Sequence, residues 1–286
     1  MSEKSQAGRA QKYQKPLEPV FSDLKQRVAQ QKSGPTSLAA SWPEAALKTV
    51  FHVHTNYSDD GNFSPEQLVA ESLERGVGCL TVTDHDCIEG ARKVARLAPA
   101  SLKVIIGEEV STAQGHLIGL FLKEEIAPGQ SAIATAKQIK AQGGLVVVPH
   151  PFNTAFGCSL KDAVYDLVGY IDAVEIFNAQ NVSPFPNRKA AAFAREYGYP
   201  ALVGGDVHHR GYLDSTYQWL PNFDGPRAFI ESIQHAHYVA RRHPLPYFFK
   251  AANVVVRGLC GLGNARGYGE NCSKDRRQLE ATTVSA

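Results

Sequence analysis

The chain has 286 residues, of which 43% are hydrophobic and 20% are charged, enough for one barrel-sized domain or for two smaller domains. Its formal net charge of +2 gives no strong electrostatic preference for nucleic acid or for an anionic membrane surface. No stretch approaches the roughly 18 consecutive apolar residues that a membrane-spanning helix needs.

The cysteines and the N-terminal sequence bear on the compartment in which the protein works. Five cysteines are scattered along the chain without a CxxC pair or a regular spacing, which favours reduced thiols over a disulfide framework. Residues 1–30 lack the apolar core of a signal peptide. We therefore expect a soluble, cytoplasmic protein with no membrane partner.

Composition divides the chain into three segments. Residues 1–47 are polar and basic apart from one weakly amphipathic stretch, and we expect a largely disordered or partly helical arm. Residues 48–245 alternate apolar runs with helix-like segments and should form the folded domain. Residues 246–286 begin with an aromatic group that we expect to pack on this domain, and they end in a basic, disordered tail.

Hydrophobic patterning predicts alternating strands and helices along the folded domain. The first helix has the clearest boundaries, because Ser64 is a suitable N-cap, Pro65 suits the first turn and Gly76 suits the end. The predicted strands are residues 49–55, 79–85, 103–111, 115–122, 145–151, 173–178 and 201–209, and the predicted helices are residues 65–76, 131–144, 187–198 and 226–236.

This alternation is typical of a parallel sheet with crossover helices. The apolar run LVVV at residues 145–148 fits a strand that is buried on both faces. Both a barrel and an open doubly wound sheet have this pattern. A barrel is favoured because nearly every predicted strand ends on a residue that can bind a ligand, and barrels collect their active sites at the C-terminal ends of all their strands.

Two histidines stand at alternate positions of the first predicted strand. Side chains at positions i and i+2 of a strand point to the same side, so His52 and His54 should face one spot. Imidazole binds Zn, Fe, Mn and Ni, although two histidines alone are equally well explained by ordinary packing. The other strand ends decide in favour of a metal site, because they carry further histidines and carboxylates: Asp59, Asp84, His85, Glu108, Glu109, His116, His150, Asp206 and His208.

The motifs HVHT, SDDG, TDHD, GEEVS, GHLIG, PHP and GDVH follow one another within about residues 47–240. In this order they resemble the PHP (polymerase and histidinol phosphatase) superfamily. The resemblance implies an α/β fold, a distorted (β/α)7 TIM-like barrel of the PHP type. It also implies a trinuclear metal centre that holds two or three divalent ions of Mn, Fe or Zn.

The resemblance further implies which residues bind each ion. Glu109 is preferred to Glu108, and Asp59 to Asp60, because they fit the spacing of the family motifs, with Asp60 as the fallback. Glu109 would bridge the first and second ions. The implied ligands are His52, His54, Glu109 and Asp206 for the first ion, His116 and His150 for the second, and Asp59, His85 and His208 for the third.

Such a cluster suits the hydrolysis of phosphate esters. Closely spaced ions acidify a bridging water to hydroxide and neutralise the phosphoryl oxygens during in-line attack. We therefore expect a metal-dependent phosphoesterase, a phosphomonoesterase that acts on a small phosphorylated metabolite or nucleotide. Asp84 and Glu175 are candidates to orient the ligands, and Asn178, Arg188, His209 and Arg210 are candidates to contact the substrate.

Three alternative functions stay open on the sequence alone. Residues 127–153 look like the PHP branch that includes carbamate hydrolases, and the same site could cleave a carbamate or an ester. An exonuclease is disfavoured by the near-neutral charge, although the basic ends of the chain leave nucleic acid open as a partner. A non-catalytic metal-binding module is disfavoured because every ligand position is kept.

Overall fold

The computed structural model describes residues 46–153, 158–244 and 247. The arm expected at residues 1–47 therefore lies outside the described residues, except at its last two positions. The segment expected at residues 246–286 also lies outside them, except at Tyr247. Within the described part of the chain, no helix is long and apolar enough to cross a membrane.

Strands and helices alternate through the described residues, as the patterning predicted. The first helix begins and ends as expected, since the Ser64 side chain and the Gln67 side chain cap each other's backbone and Gly76 follows the helix with φ of 64°. The strands are β1 (Leu47–Val53), β2 (Cys79–Val82), β3 (Lys103–Thr112), β4 (Gly115–Leu120), β5 (Leu145–Val148), β6 (Ala173–Asn178), β7 (Ala201–Val207), β8 (Tyr217–Leu220) and β9 (His237–Val239). The α-helices are α1 (Pro65–Glu74), α2 (Glu89–Leu97), α3 (Ala132–Ala141), α4 (Phe185–Tyr197) and α5 (Gly225–Ile233), and a 3-10 helix spans Lys161–Leu167.

The first seven of these strands close into a barrel. Each strand from β1 to β7 pairs with the next, and β7 returns to pair with β1. β8 extends the sheet from the start of β1, and β9 pairs with β8. The predicted α/β barrel of the TIM-like type is therefore confirmed.

The barrel is not wholly parallel, however, so the prediction of a parallel sheet is wrong at one strand. β4 runs antiparallel to both of its neighbours, β3 and β5. Only two residues separate β3 from β4, which leaves room for a hairpin and none for a crossover helix. The start of β4 therefore lies at the same end of the barrel as the finish of the parallel strands, and His116, its second residue, reaches that end.

Patterning missed α2, the 3-10 helix, β8 and β9. Helix α2 has nine residues, and its N-cap, Ile88, makes no side-chain hydrogen bond to the helix. It therefore lacks the capping signal by which the start of a helix is recognised. β8 and β9 have four and three residues, too few to show a clear alternation.

The hydrophobic core has an inner part and an outer part. Outside the barrel, Leu68 of α1 and Val94 of α2 belong to one hydrophobic cluster with Val50 and Val53 of β1 and Leu80 of β2. A second outer cluster joins α3, the 3-10 helix and α4 to β4, β5, β6 and β7. Inside the barrel, residues near the N-terminal ends of the parallel strands form a third cluster that Phe229 and Ile233 of α5 complete. This apolar cluster lies opposite the end to which the candidate ligands point.

The described cysteines differ in oxidation state. Among the described residues, Cys79 and Cys158 are free thiols, whereas Cys87 is disulfide-bonded. The prediction of reduced thiols is therefore wrong at Cys87, because spacing along a sequence does not show which cysteines a fold brings within bonding distance.

Truncation of the inner core should destabilise the barrel. Phe229 is fully buried against Phe121 and Phe223, so we expect Phe229→Ala to lower the free energy of unfolding by about 3–5 kcal/mol. The matched control is Phe185→Ala, since Phe185 is 71% exposed and its loss should change stability by no more than about 0.5 kcal/mol. Urea unfolding measures both values, and equal losses would contradict this description of the core.

Candidate metal centre

His52 and His54 converge because β1 is irregular between them. Val50 pairs with Leu80 and Val53 pairs with Val82, so β1 has one residue more than β2 over this interval, and His52 adopts a φ of 67°. Phe51 packs inside the barrel, and in a regular strand its neighbours at positions 52 and 54 would therefore point outwards. The bulge turns both histidines inwards, where their ring centroids lie 5.1 Å apart.

The Glu109 carboxylate lies at the centre of the inward-facing histidines. His52 Nε2 is 2.9 Å from Oε2, while His116 Nδ1 and His150 Nε2 are each 2.9 Å from Oε1. Its neighbour Glu108 is directed elsewhere, because its Oε2 accepts a hydrogen bond of 2.9 Å from the Ile126 backbone. The alternation of β3 thus gives the two adjacent carboxylates different surroundings, and only Glu109 faces the site.

Burial and charge oppose each other at this centre. Burial raises the pKa of Glu109, but the charges of His52, His116 and His85 outweigh it and hold that pKa well below its ordinary value. Burial lowers the pKa of His52, but Asp206, Glu109 and the nearby Glu175 outweigh it and hold that pKa well above its ordinary value. The site therefore keeps several ionised groups away from water, and these groups depend on one another.

Three buried ring nitrogens show that the donor set fits metal ions. Among the described residues, His54 Nε2, His85 Nδ1 and His208 Nε2 are buried side-chain nitrogens that make no well-directed hydrogen bond, although carboxylate oxygens lie 3.1–3.5 Å away. Unsatisfied buried polar atoms are costly and rare in proteins. His54 Nε2 lies 3.3 Å from Glu109 Oε2 and 3.5 Å from Asp206 Oδ1, so it points into the cluster. Lone pairs directed at shared carboxylates are the arrangement that a divalent ion would satisfy.

A hydrogen-bond chain fixes the tautomer of His54. Ser58 Oγ donates to Asp84 Oδ1 over 2.9 Å, so the bond of 3.1 Å between Ser58 and His54 needs the hydrogen of His54 Nδ1. His54 Nε2 then carries a lone pair, as a metal ligand requires. Asp84 is itself held by Thr55, whose backbone N and Oγ1 donate to it over 2.6 Å and 2.7 Å. Asp84 therefore acts on His54 through Ser58.

Glu175 orients the other histidine of the pair. Its Oε1 lies 3.0 Å from His52 Nδ1, and its Oε2 accepts a hydrogen bond of 2.7 Å from the His150 backbone. Asn178 Nδ2 donates to both Glu175 Oε2 and Asp206 Oδ2 over 3.0 Å. A carboxylate on the far nitrogen of a histidine fixes the ring and strengthens it as a ligand. Gly204 makes room for this carboxylate, since a Cβ there would overlap Glu175.

The side chains form overlapping groups whose ligand atoms lie within 4.8 Å of one another. Four residues each belong to two of these groups, so ions bound by neighbouring groups would lie side by side. The shared residues are Glu109, His54, His85 and His116. Across residues 46–153 and 158–244, the groups are His52, His54, Glu109 and Asp206; His54, Asp60, His85 and His208; His85, Glu109 and His116; and His116, His150 and Cys158.

Comparison with known proteins identifies the family. The PHP domain matches residues 51–238, well over half of the chain. The chain belongs to the PHP domain family. PHP homologues are metal-dependent hydrolases, which agrees with a donor set of imidazoles and carboxylates.

Individual proteins are similar to parts of this chain. An uncharacterised protein of Methanocaldococcus jannaschii is 35% identical over 144 residues, which are 46% of this chain and 82% of that protein. A 3',5'-nucleoside bisphosphate phosphatase of Chromobacterium violaceum is 31% identical over 99 residues, which are 33% of each chain. A two-domain protein of Bacteroides vulgatus, containing a predicted PHP-like metal-dependent phosphoesterase, has a similar fold, with a TM-score of 0.56, 18% identity and coverage of 67% of this chain and 64% of that chain.

The PHP domain brings together eight of the nine ligands that the sequence predicted. The ninth position differs, because Asp60 and not Asp59 joins the group of His85 and His208. Asp60 Oδ2 lies 3.1 Å from His208 Nε2 and 3.6 Å from His85 Nε2. Motif spacing favoured Asp59, and the loop after β1 places the carboxylate of its neighbour, Asp60, beside these histidines.

The candidate substrate-binding residues divide into two kinds. Asn178 is fully buried in the hydrogen bonds to Glu175 and Asp206, and the ring of His209 is buried at 5.2 Å from that of Tyr247. Arg188 and Arg210 are exposed. Asn178 therefore supports the centre, His209 packs on Tyr247, and the two arginines are the candidates whose side chains are accessible to a substrate.

Two supporting residues were not predicted from the sequence as part of the site. Gln180 Nε2 donates to the Asp206 carbonyl over 2.9 Å and lies 3.0 Å from His208 Nδ1. Tyr247 Oη donates to the same carbonyl over 2.9 Å, from a position 41 residues further along the chain. No local motif marks such contacts, although the position of Gln180 two residues after β6 agrees with the rule that barrel sites collect at strand ends.

The loop carboxylate can be assigned by a matched pair of variants. We expect Asp60→Asn to lower the number of Zn or Mn ions bound per chain, because it removes a charged ligand from the His85 and His208 group. We expect Asp59→Asn to leave this number unchanged. Metal analysis after equilibrium dialysis measures both, and a loss confined to the Asp59 variant would restore the assignment that the motif favoured.

The role of Glu175 can be tested through metal affinity. We expect Glu175→Gln to weaken metal binding by about 10–100-fold, because it removes the charge that orients and polarises His52. The matched control is Glu108→Gln, a buried carboxylate that binds the Ile126 backbone and faces away from the site. Competition with a chelator gives both affinities. Equal affinities for the Glu175 variant and the unchanged protein would show that this carboxylate does not support the ligand.

Proposed function

We propose that this PHP domain is a metal-dependent phosphomonoesterase that acts on a small phosphorylated metabolite or nucleotide. The observation that carries the proposal is the sharing of Glu109 and three histidines among the ligand groups. Sharing makes adjacent ions possible within one pocket, which suits a phosphoryl group because its charge is spread over several oxygens.

The nine ligands proposed are the predicted set with Asp60 in place of Asp59. Divalent ions bound there would acidify a water and neutralise the phosphoryl oxygens. The protein contributes positioned donors: Glu175 fixes His52, and Ser58 fixes His54. Since these contacts are buried, the ligands need little rearrangement when the substrate binds.

The exposed arginines supply the proposed substrate contacts. Arg210 stands two residues after His208, and its backbone N donates to Asn62 Oδ1 over 3.1 Å. The Asn62 backbone in turn donates to the His208 carbonyl over 2.9 Å, so the arginine follows a segment that is fixed at the centre. A guanidinium can bind phosphate through two parallel hydrogen bonds. We propose that Arg210, with Arg188 from α4, recognises the phosphate of the substrate.

The similarity to a 3',5'-nucleoside bisphosphate phosphatase supports a small phosphorylated substrate, although it covers 33% of the chain. Nucleic acid is the less favoured partner, because the net charge of +2 provides little attraction for a polyanion. A carbamate or ester hydrolase would use the same ligands, and hydrolysis assays with both kinds of substrate distinguish the two activities.

Hydrolysis by metal-loaded protein tests the proposal. The protein would be stripped with a chelator, reloaded with Mn, Fe or Zn, and given a phosphomonoester, a phosphodiester and an aryl carbamate. We expect metal-dependent phosphate release that favours the monoester. The double variant His52→Ala, His54→Ala should lose at least about 100-fold in rate, as when a charge-stabilising group is removed from an active site.

The control is His235→Ala, an exposed histidine beyond α5, which should keep full activity. Turnover of the carbamate without turnover of either phosphate ester would reject the phosphoesterase and support the carbonyl hydrolase. Preference for the diester would reject the monoesterase and support cleavage of a phosphodiester.

A further inference from the structure

Cys158 lies beside the histidines proposed for the second ion. Its backbone oxygen accepts a hydrogen bond of 2.8 Å from the His116 backbone, and Ser159 Oγ donates to the His150 carbonyl over 2.7 Å. The segment also packs closely on the start of β4, because a Cβ at Gly115 would lie 2.6 Å from the backbone of Ser159. The thiol is therefore placed by contacts on both sides of the site.

The thiol completes a set of three ligand atoms. Cys158 Sγ, one ring nitrogen of His116 and one of His150 all lie within 4.8 Å of one another. Glu109 Oε1 lies 2.9 Å from His116 Nδ1 and from His150 Nε2, so a carboxylate oxygen is also close to both imidazoles. The sulfur and the two nitrogens would supply three of the four ligands that a zinc ion commonly takes.

We infer that Cys158 is a thiolate ligand of the ion held by His116 and His150. On binding, the S–H proton passes to solvent, a metal–sulfur bond forms and one water leaves the ion. Neither the ligands that the sequence predicted nor the comparisons include this residue. The inference rests on the metal centre of the proposed function and adds a consequence for metal choice.

A sulfur ligand changes which metal the second position prefers. Thiolate is a soft ligand that favours Zn, whereas Mn favours sites made of oxygen. The group of His54, Asp60, His85 and His208 contains no cysteine, so the two positions differ in softness. We therefore expect the His116 and His150 position to select Zn over Mn more strongly than the Asp60 position does.

Cobalt substitution tests the inference without turnover. Co(II) bound to a thiolate gives an intense sulfur-to-metal charge-transfer absorption in the near ultraviolet, and ligation by nitrogen and oxygen alone does not. We expect this band in the cobalt-loaded protein, its loss in Cys158→Ser, and its retention in Cys79→Ser, whose thiol is buried in the inner core. Loss of a ligand should also weaken Zn binding by at least the roughly 10–100-fold that the loss of an orienting partner costs.

Each outcome of the cobalt experiment either supports or overturns the assignment of Cys158 as a metal ligand. Absence of the band in the unchanged protein at full cobalt loading would overturn the inference, whether or not the variants fold. A band that persists in Cys158→Ser would also overturn it, because another thiol would then be the source. Failure of the phosphoesterase assay with the band present would reject the proposed activity and leave the ligand assignment standing.

Discussion

The Glu109 carboxylate is the group on which the arrangement of the site depends. It receives imidazole nitrogens from β1, from β4 and from the residues after β5, each at 2.9 Å, and so links three parts of the barrel. A buried carboxylate is costly unless charges and hydrogen bonds compensate it, and removal of one partner leaves a buried charge uncompensated. Glu109 and Asp206 both stabilise the buried His52, whose pKa they hold well above its ordinary value despite its burial.

The histidines also crowd one another. The rings of His54 and His208 are stacked with centroids 4.1 Å apart, and those of His54 and His85 are 4.6 Å apart. Protonated rings at these distances would repel, and neutral rings leave lone pairs without donors. Divalent ions remove both problems at once, because they replace protons with charges that several lone pairs share. Metal binding and folding should therefore be coupled in this protein.

Much of the site could be predicted because the C-terminal ends of the parallel strands all lie at one end of a barrel. The rule predicted that His54, His85 and His208 would lie together although they follow three different strands, β1, β2 and β7. The helix at Pro65–Glu74 was equally predictable, since its caps are local features of the sequence. A structural feature that depends on one local sequence pattern could therefore be predicted from the sequence alone.

The remainder could not be predicted because it depends on how elements pack. Strand alternation foresaw that His52 and His54 would meet, but not the bulge that turns them inwards past Phe51. Whether Asp59 or Asp60 lies beside the histidines depends on the conformation of the loop after β1, which hydrophobic periodicity does not predict. The hydrogen bond from Tyr247 Oη to the Asp206 carbonyl joins residues that are 41 positions apart in sequence, so it depends on tertiary packing.

The apolar cluster around Phe229 limits how molecules can enter and leave the barrel. Phe51, Ile105 and Leu202 fill the interior beneath the ligands, and α5 covers the strands at that end. The pocket is therefore blind: a ligand enters and its products leave through the same mouth. A linear polymer cannot thread through such a barrel, so any long substrate would have to present an end or a protruding group to the ions.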